Sequence, residues 1–225
     1  DSVASRGLGD VYKRQHYLLW PPDLENSKIH LEKAITAYEE LKFNRWVDEY
    51  GQDPKAMSLI YLAGVRMYQG FIDEGKELIL ESITHAESLE FPFGLAFCHC
   101  CAAIFLRMIY DVDAVEAHAE AQLKISLEKN FPWLTNHALI YTGWAANKKN
   151  EPGSLEKIEL GLKEIESFGS TSFDSVGHHV IAYQEAQIRA HHYETADKRL
   201  GYMTKTMKAL GCEELLPETL RLLSL

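Results

Sequence analysis

An all-α fold of stacked antiparallel helix pairs is predicted by three observations. Apolar residues follow a helical period along the whole chain, two similar words recur at a fixed spacing, and strand signals are lacking. The words are "LEFPFGLAF" and "KNFPWLTNH", which set Phe91-Pro92 and Phe131-Pro132 40 residues apart. Between them apolar side chains recur at i, i+3 and i+4, and no period-2 alternation runs between turn dipeptides. A helix pair of this kind buries its apolar face only against a neighbouring pair. The expected architecture is therefore a right-handed α-solenoid of tetratricopeptide-like type, with a repeat of about 40 residues rather than roughly 34.

The elements follow in order. "DLENSKIHLEKAITAYEEL" reads as the second (B-type) helix of a pair, with Leu31, Ala34, Ile35, Tyr38 and Leu41 inward. Asp53-Pro54 then opens a first (A-type) helix over 55–69, striped by Met57, Ile60, Tyr61, Gly64, Val65 and Tyr68. Asp53 serves as N-cap, and Pro54 sits where a missing N–H costs nothing. Gly70 stops that helix, and Gly75, Leu78, Ile79, Ser82, Ile83 and Ala86 carry its partner.

The next A helix spans 93–109 with Phe93, Phe97, Cys100, Cys101, Ile104 and Met108 on one face. After Tyr110-Asp111, the residues Val112, Val115, Ala119, Leu123 and Leu127 stripe its B helix. A third pair runs from Trp133 to Lys149 and, past Glu151-Pro152-Gly153, through Leu155, Ile158, Leu162 and Ile165. A fourth occupies 173–190 and 193–210, with Val176, Val180, Tyr183 and Gln187 facing Tyr193, Ala196, Leu200, Met203, Met207 and Leu210. "EELLPETLRLLSL" begins a further helix whose Leu220, Leu223 and Leu225 are expected to lack a partner, so the natural chain is expected to continue. Small stripe residues (Gly64, Ala102, Ala138, Ala145, Ala186, Ala196) predict close helix approach.

The N-terminus is misleading. Gly7-Leu8-Gly9-Asp10 suggests a phosphate loop, but no strand precedes it, no lysine follows at P-loop spacing, and the third glycine of GxGxxG is missing. Ser5–Gln15, "SRGLGDVYKRQ", is instead similar to the in-frame translation of a sequencing-library transposase adapter. Residues 1–15 are accordingly set aside as an artefact, leaving 16–225 as the repeat domain, truncated at both ends.

The chain has 225 residues, with 33 acidic and 23 basic side chains and a formal net charge of −10. That sign repels phosphate backbones and argues against direct nucleic-acid binding. No apolar run approaches the ~20 residues that span a bilayer. Cys98, Cys100 and Cys101 crowd one helical turn and Cys212 is remote, which suits free thiols in the cytoplasm rather than a disulfide framework.

Chemistry-bearing motifs are few. Cys98 and Cys101 share a helix face but lack a second ligand pair, so they read as core, and no metal site is expected. His178-His179 and His191-His192 point about 100° apart on a helix and form no joint site; the second pair is expected at a solvated turn. Glu39-Glu40 and Glu213-Glu214 read as solvated flanks. No GxSxG or comparable nucleophile setting occurs, so no catalytic residue is assigned. Trp133, Tyr141 and Trp144 read as packing between repeats. The side chains opposite the A-helix stripes, Arg66, Asn136, His178 and Arg189, are the binding candidates for a concave groove, their plainer description being solvated helix positions.

The stretch "YGQDPKAMSLIYLAGVRMYQGFIDEGKELILESITHAESLEFPFGLAFCHCCAAIF" resembles the tetratricopeptide-like region of large bacterial signalling proteins. Those join an adenylate/guanylate cyclase or protein kinase domain to a STAND-type ATPase and end in helical repeats. The family pattern falls on Tyr50, Gly51, Gln52, Asp53, Pro54, Gly70, Pro92 and Phe93, and the likeness extends over roughly 28–210. It implies a non-catalytic arm that binds a protein or peptide partner or senses a small effector. ATP and magnesium would belong to domains outside this sequence, and no cofactor to the repeats. A passive oligomerisation scaffold and the regulatory repeats of a STAND-type transcription regulator are the alternatives.

Overall fold

The computed structural model describes residues 23–41, 47, 51–167, 173–210 and 215–225. The adapter-like segment 1–15, Tyr50, Cys212 and Glu213-Glu214 lie outside the described residues. Among the described residues there are ten helices and no strand, as the periodicity predicts. They are α1 Leu24–Leu41, α2 Pro54–Tyr68, α3 Ile72–Ser88, α4 Pro92–Met108, α5 Val112–Glu128, α6 Pro132–Lys148, α7 Ser154–Ser167, α8 Phe173–Arg189, α9 Tyr193–Leu210 and α10 Leu216–Leu223. Two compact units form, Asp1–Phe105 and Leu106–Leu225, the division falling within α4. In each, helices pack mainly on those adjacent in sequence: α1 on α2 and α2 on α3, then α5 on α6, α6 on α7, α8 on α9 and α9 on α10.

The turns show why the period is so regular. Left-handed backbone occurs at Gly70, Glu90, Tyr110, Asn130 and Asn150, one every 20 residues, and again at His191. Five of these six end their helix in a full Schellman motif. After α2, for example, Phe71 N–H reaches Arg66 O (2.9 Å) and Gly70 N–H reaches Met67 O (3.0 Å). The same pair of bonds closes α4, α5, α6 and α8, so carbonyls that a helix end would leave bare are satisfied. The next residue, such as Phe71, Asp111 or Phe131, is already the N-cap of the following helix. Glycine takes the left-handed conformation freely, whereas other residues incur about 1–2 kcal/mol. Glu90→Gly is therefore expected to raise stability by about 0.5–1 kcal/mol, read from the urea midpoint.

Burial separates the two helix types. In the A-type helices α2 and α6, 11 of 15 and 11 of 17 residues are buried, because neighbours cover them on two sides. The B-type helices α3 and α5 bury only 5 and 4 residues of 17, a single stripe with a wet outer face. The predicted small residues do sit at contacts, and two unpredicted glycines bring α6 and α7 closer still. A Cβ on Gly161 would fall 2.5 Å from the Asn136 carbonyl oxygen, and one on Gly143 2.9 Å from that of Ser154. Gly161→Val should thus force the helices apart and cost about 1–3 kcal/mol. Gly201, in α9, has nothing within 4 Å of such an atom. Gly201→Ala is expected to stabilise by up to about 1 kcal/mol through helix propensity alone.

At the end of the chain the stripe differs from expectation. Leu215, Thr219 and Leu222 are the buried positions, and Leu223 packs against a cluster of Val180, Ile181, Leu200, Met203 and Met207. Only Leu220 and Leu225, 47% and 69% exposed, lack cover. The inward face is thus set by α8 and α9, one position away from the leucines with which the sequence pattern marked it.

Candidate functional site

Asp53 organises the first unit. As the α2 N-cap it accepts the Ala56 N–H at 2.8 Å, and it also accepts the Tyr38 hydroxyl of α1 at 2.8 Å. His85 Nε2 of α3 lies 3.0 Å from the same carboxylate, with its ring edge-on to Tyr38. Burial alone would raise this carboxyl, but the bonds from His85, Ala56 and Tyr38 outweigh it and hold the group below the usual carboxylate range. One side chain therefore ties three helices. Behind it the Ser82 hydroxyl donates to Ala56 O at 2.9 Å and lies 3.3 Å from Cys98 Sγ. Burial pushes the Cys98 thiol up to about 11 and Cys101 well above its ordinary value. Cys98, Cys100 and Cys101 are all buried free thiols, so they act as small hydrophobes. Among the described residues no three His, Cys, Asp or Glu side chains converge as metal ligands.

Arg66, the first of the four candidates, lines a half-open groove of about 360 Å³ in this unit. Lys28 and Glu32 of α1, Leu62 of α2, and Glu74, Glu77, Leu78 and Glu81 of α3 line it too. The Arg66 guanidinium reaches Glu74 at 2.7 Å and Gln69 at 2.6 Å and lies 3.7 Å from the Phe71 ring centroid. It is an anchored wall of the groove.

The other candidates lie in the second unit and do not form one site. Asn136 is buried, its backbone carbonyl facing Gly161. His178 is buried too, and burial, aided by the positive charge of Arg107, pushes it down to about 3. Neither occupies the solvated position that the sequence pattern allowed. Arg189 is exposed and donates to Asn150 Oδ1 at 2.8 Å, bracing the left-handed residue that ends α6. His191 and His192 are exposed at their turn, as expected. Trp144 and Tyr141 are wholly buried.

Sequence reasoning passed over the polar seam that joins Tyr110, in the turn after α4, to α6, α8 and α10. Glu185, 4% exposed, accepts the Trp144 indole N–H at 2.7 Å, pairs with Lys148, and lies 3.6 Å from Arg221. Tyr110 donates to Glu218 at 2.6 Å, and Arg221 Nε donates to the other Glu218 oxygen at 2.8 Å. Arg107 is 1% exposed, and its Nε and Nη1 have no hydrogen-bond partner among the described residues. The signal was available: Trp144 and Lys148 are i, i+4, and Glu185 falls in register with His178 on a largely apolar face.

The sequence matches no family model and no curated protein, and the fold matches no solved structure.

Proposed function

We propose that the chain is a non-catalytic helical-repeat module that docks a protein or peptide partner or senses a small effector, as an arm of a larger bacterial signalling ATPase or cyclase. The observation that carries this is the contrast between its polar groups and its groove. Asp53, His85, Glu185 and Arg189 are each engaged in holding helices together, whereas the groove beside Arg66 stays open with an apolar floor and a charged rim. A ligand there contacts α1, α2 and α3 together, so its binding energy is available to bias their packing. Such coupling reaches an attached domain only if the ligand favours one of that domain's states.

The test is nucleotide turnover by the full-length protein, with and without the repeats, across a panel of peptides and small effectors. A ligand-dependent rate that vanishes with the repeats supports the reading. A rate indifferent to every ligand and to loss of the repeats leaves a passive oligomerisation scaffold.

A further inference from the structure

Resting on the docking reading above, we infer that the groove between α1 and α3 receives an amphipathic basic helix of a partner protein. Its floor is apolar: Leu62 is 6% exposed, and Leu78 packs half-buried on the cluster of Leu31, Leu62 and Val65. Its rim is acidic. Glu74, Glu77 and Glu81 fall at i, i+3 and i+7 of α3, a stripe running about 10 Å along that helix, and Glu32 faces from α1.

The two cations of the lining are already used. Arg66 is held by Glu74 and Gln69, and Lys28 lies 4.0 Å from Glu32. Glu77 and Glu81 face no opposite charge within salt-bridge distance among the described residues, so the open part of the rim is negative. A helix with leucines on one face and lysines or arginines flanking it at the same i, i+3/i+4, i+7 pitch matches floor and rim together. An acidic or uncharged helix would bury Glu77 and Glu81 without compensation.

The experiment uses the whole chain and a fluorescein-labelled 18-residue Leu/Lys peptide designed as an amphipathic helix, with a peptide of the same composition in scrambled phase as control. Binding is followed by fluorescence anisotropy at 50 and 300 mM salt. The amphipathic peptide should bind the wild type, and more weakly at the higher salt. Glu77→Lys/Glu81→Lys should weaken it at least tenfold, and Glu77→Gln/Glu81→Gln about threefold, with helicity by circular dichroism unchanged. Glu120→Lys/Glu128→Lys on α5 makes the same change in net charge and should alter affinity less than twofold. Equal loss in both lysine pairs, equal binding of the scrambled peptide, or no binding by the wild type overturns the assignment. If effector-dependent turnover of the full-length protein persists while the peptide fails, the groove assignment alone falls; if both fail, the docking reading falls with it.

Discussion

Taking the pH from 7 to 5 is expected to remove about 4 kcal/mol of stability, a large share of the ~5–15 kcal/mol typical of a folded domain. Two buried histidines set the size. His137 and His178 are each pushed down to about 3 by burial, with the Arg107 charge adding to the effect on His178. In the unfolded chain both return to about 6.5. Between those limits the unfolded state takes up protons that the native state refuses, so stability is full above about pH 6.5 and falls as the pH drops toward 3. Each histidine accounts for about 2 kcal/mol at pH 5.

Trp133 lies 4.1 Å from the His137 ring and His179 4.4 Å from it, and the charge that acts on His178 is the positive one of Arg107, which opposes protonation. Asp53 acts in a different window. Its depressed carboxyl contributes stability above its unfolded value, near 3.8, which is lost as the pH falls further through the folded value. Urea titrations at pH 7, 6 and 5 check the claim, and His178→Leu should halve the slope. A midpoint that does not move between pH 7 and 5 would show that these rings accept protons in the native state.

How much of this was legible depends on what each feature needs. The helix pairs, their order and most of their bounds follow from apolar period and from Asp53-Pro54 and Gly70, since these are local signals carrying their own physical cause. The 20-residue cadence of left-handed residues was harder to see because Gly70, Glu90, Tyr110, Asn130 and Asn150 share no single side-chain chemistry, only the asparagine occurring twice. At all of these but Glu90 the full pair of Schellman bonds, made by backbone alone, accompanies the conformation. Asn136 and His178 went astray for a related reason. Opposite the apolar stripe of an A-type helix there is a second neighbour rather than water, and a single helix's periodicity cannot reveal how many others surround it. The close approach of α6 and α7 depends on reciprocal glycines 18 residues apart, Gly143 and Gly161, a pairing that only the crossing of two helices makes meaningful. The groove beside Arg66 likewise joins residues from three helices, and only Arg66 among them was singled out.

Removing the Glu185 carboxylate should be the most damaging single change in the second unit, at about 3–5 kcal/mol for Glu185→Ala. The side chain is 4% exposed and joins α6, α8 and α10. Its loss would leave the Trp144 indole N–H without an acceptor and Lys148 without its counter-charge, over the Tyr110 and Trp144 rings. Desolvating an unpaired donor costs about 1–3 kcal/mol and an unpaired charge more. Ring faces attract a cation by only about 1–2 kcal/mol, too little to replace the carboxylate. Glu185→Gln keeps an acceptor for Trp144 while deleting the charge, so about half the loss is expected. Replacing both partners, Glu185→Leu with Lys148→Met, removes the desolvation of the two charges together and should recover most of the stability, with the indole N–H the remaining deficit. Urea unfolding of the four proteins separates these cases. A cost below about 1 kcal/mol for Glu185→Ala would mean that water reaches the Lys148 ammonium, and that the seam has the modest strength of an exposed ion pair.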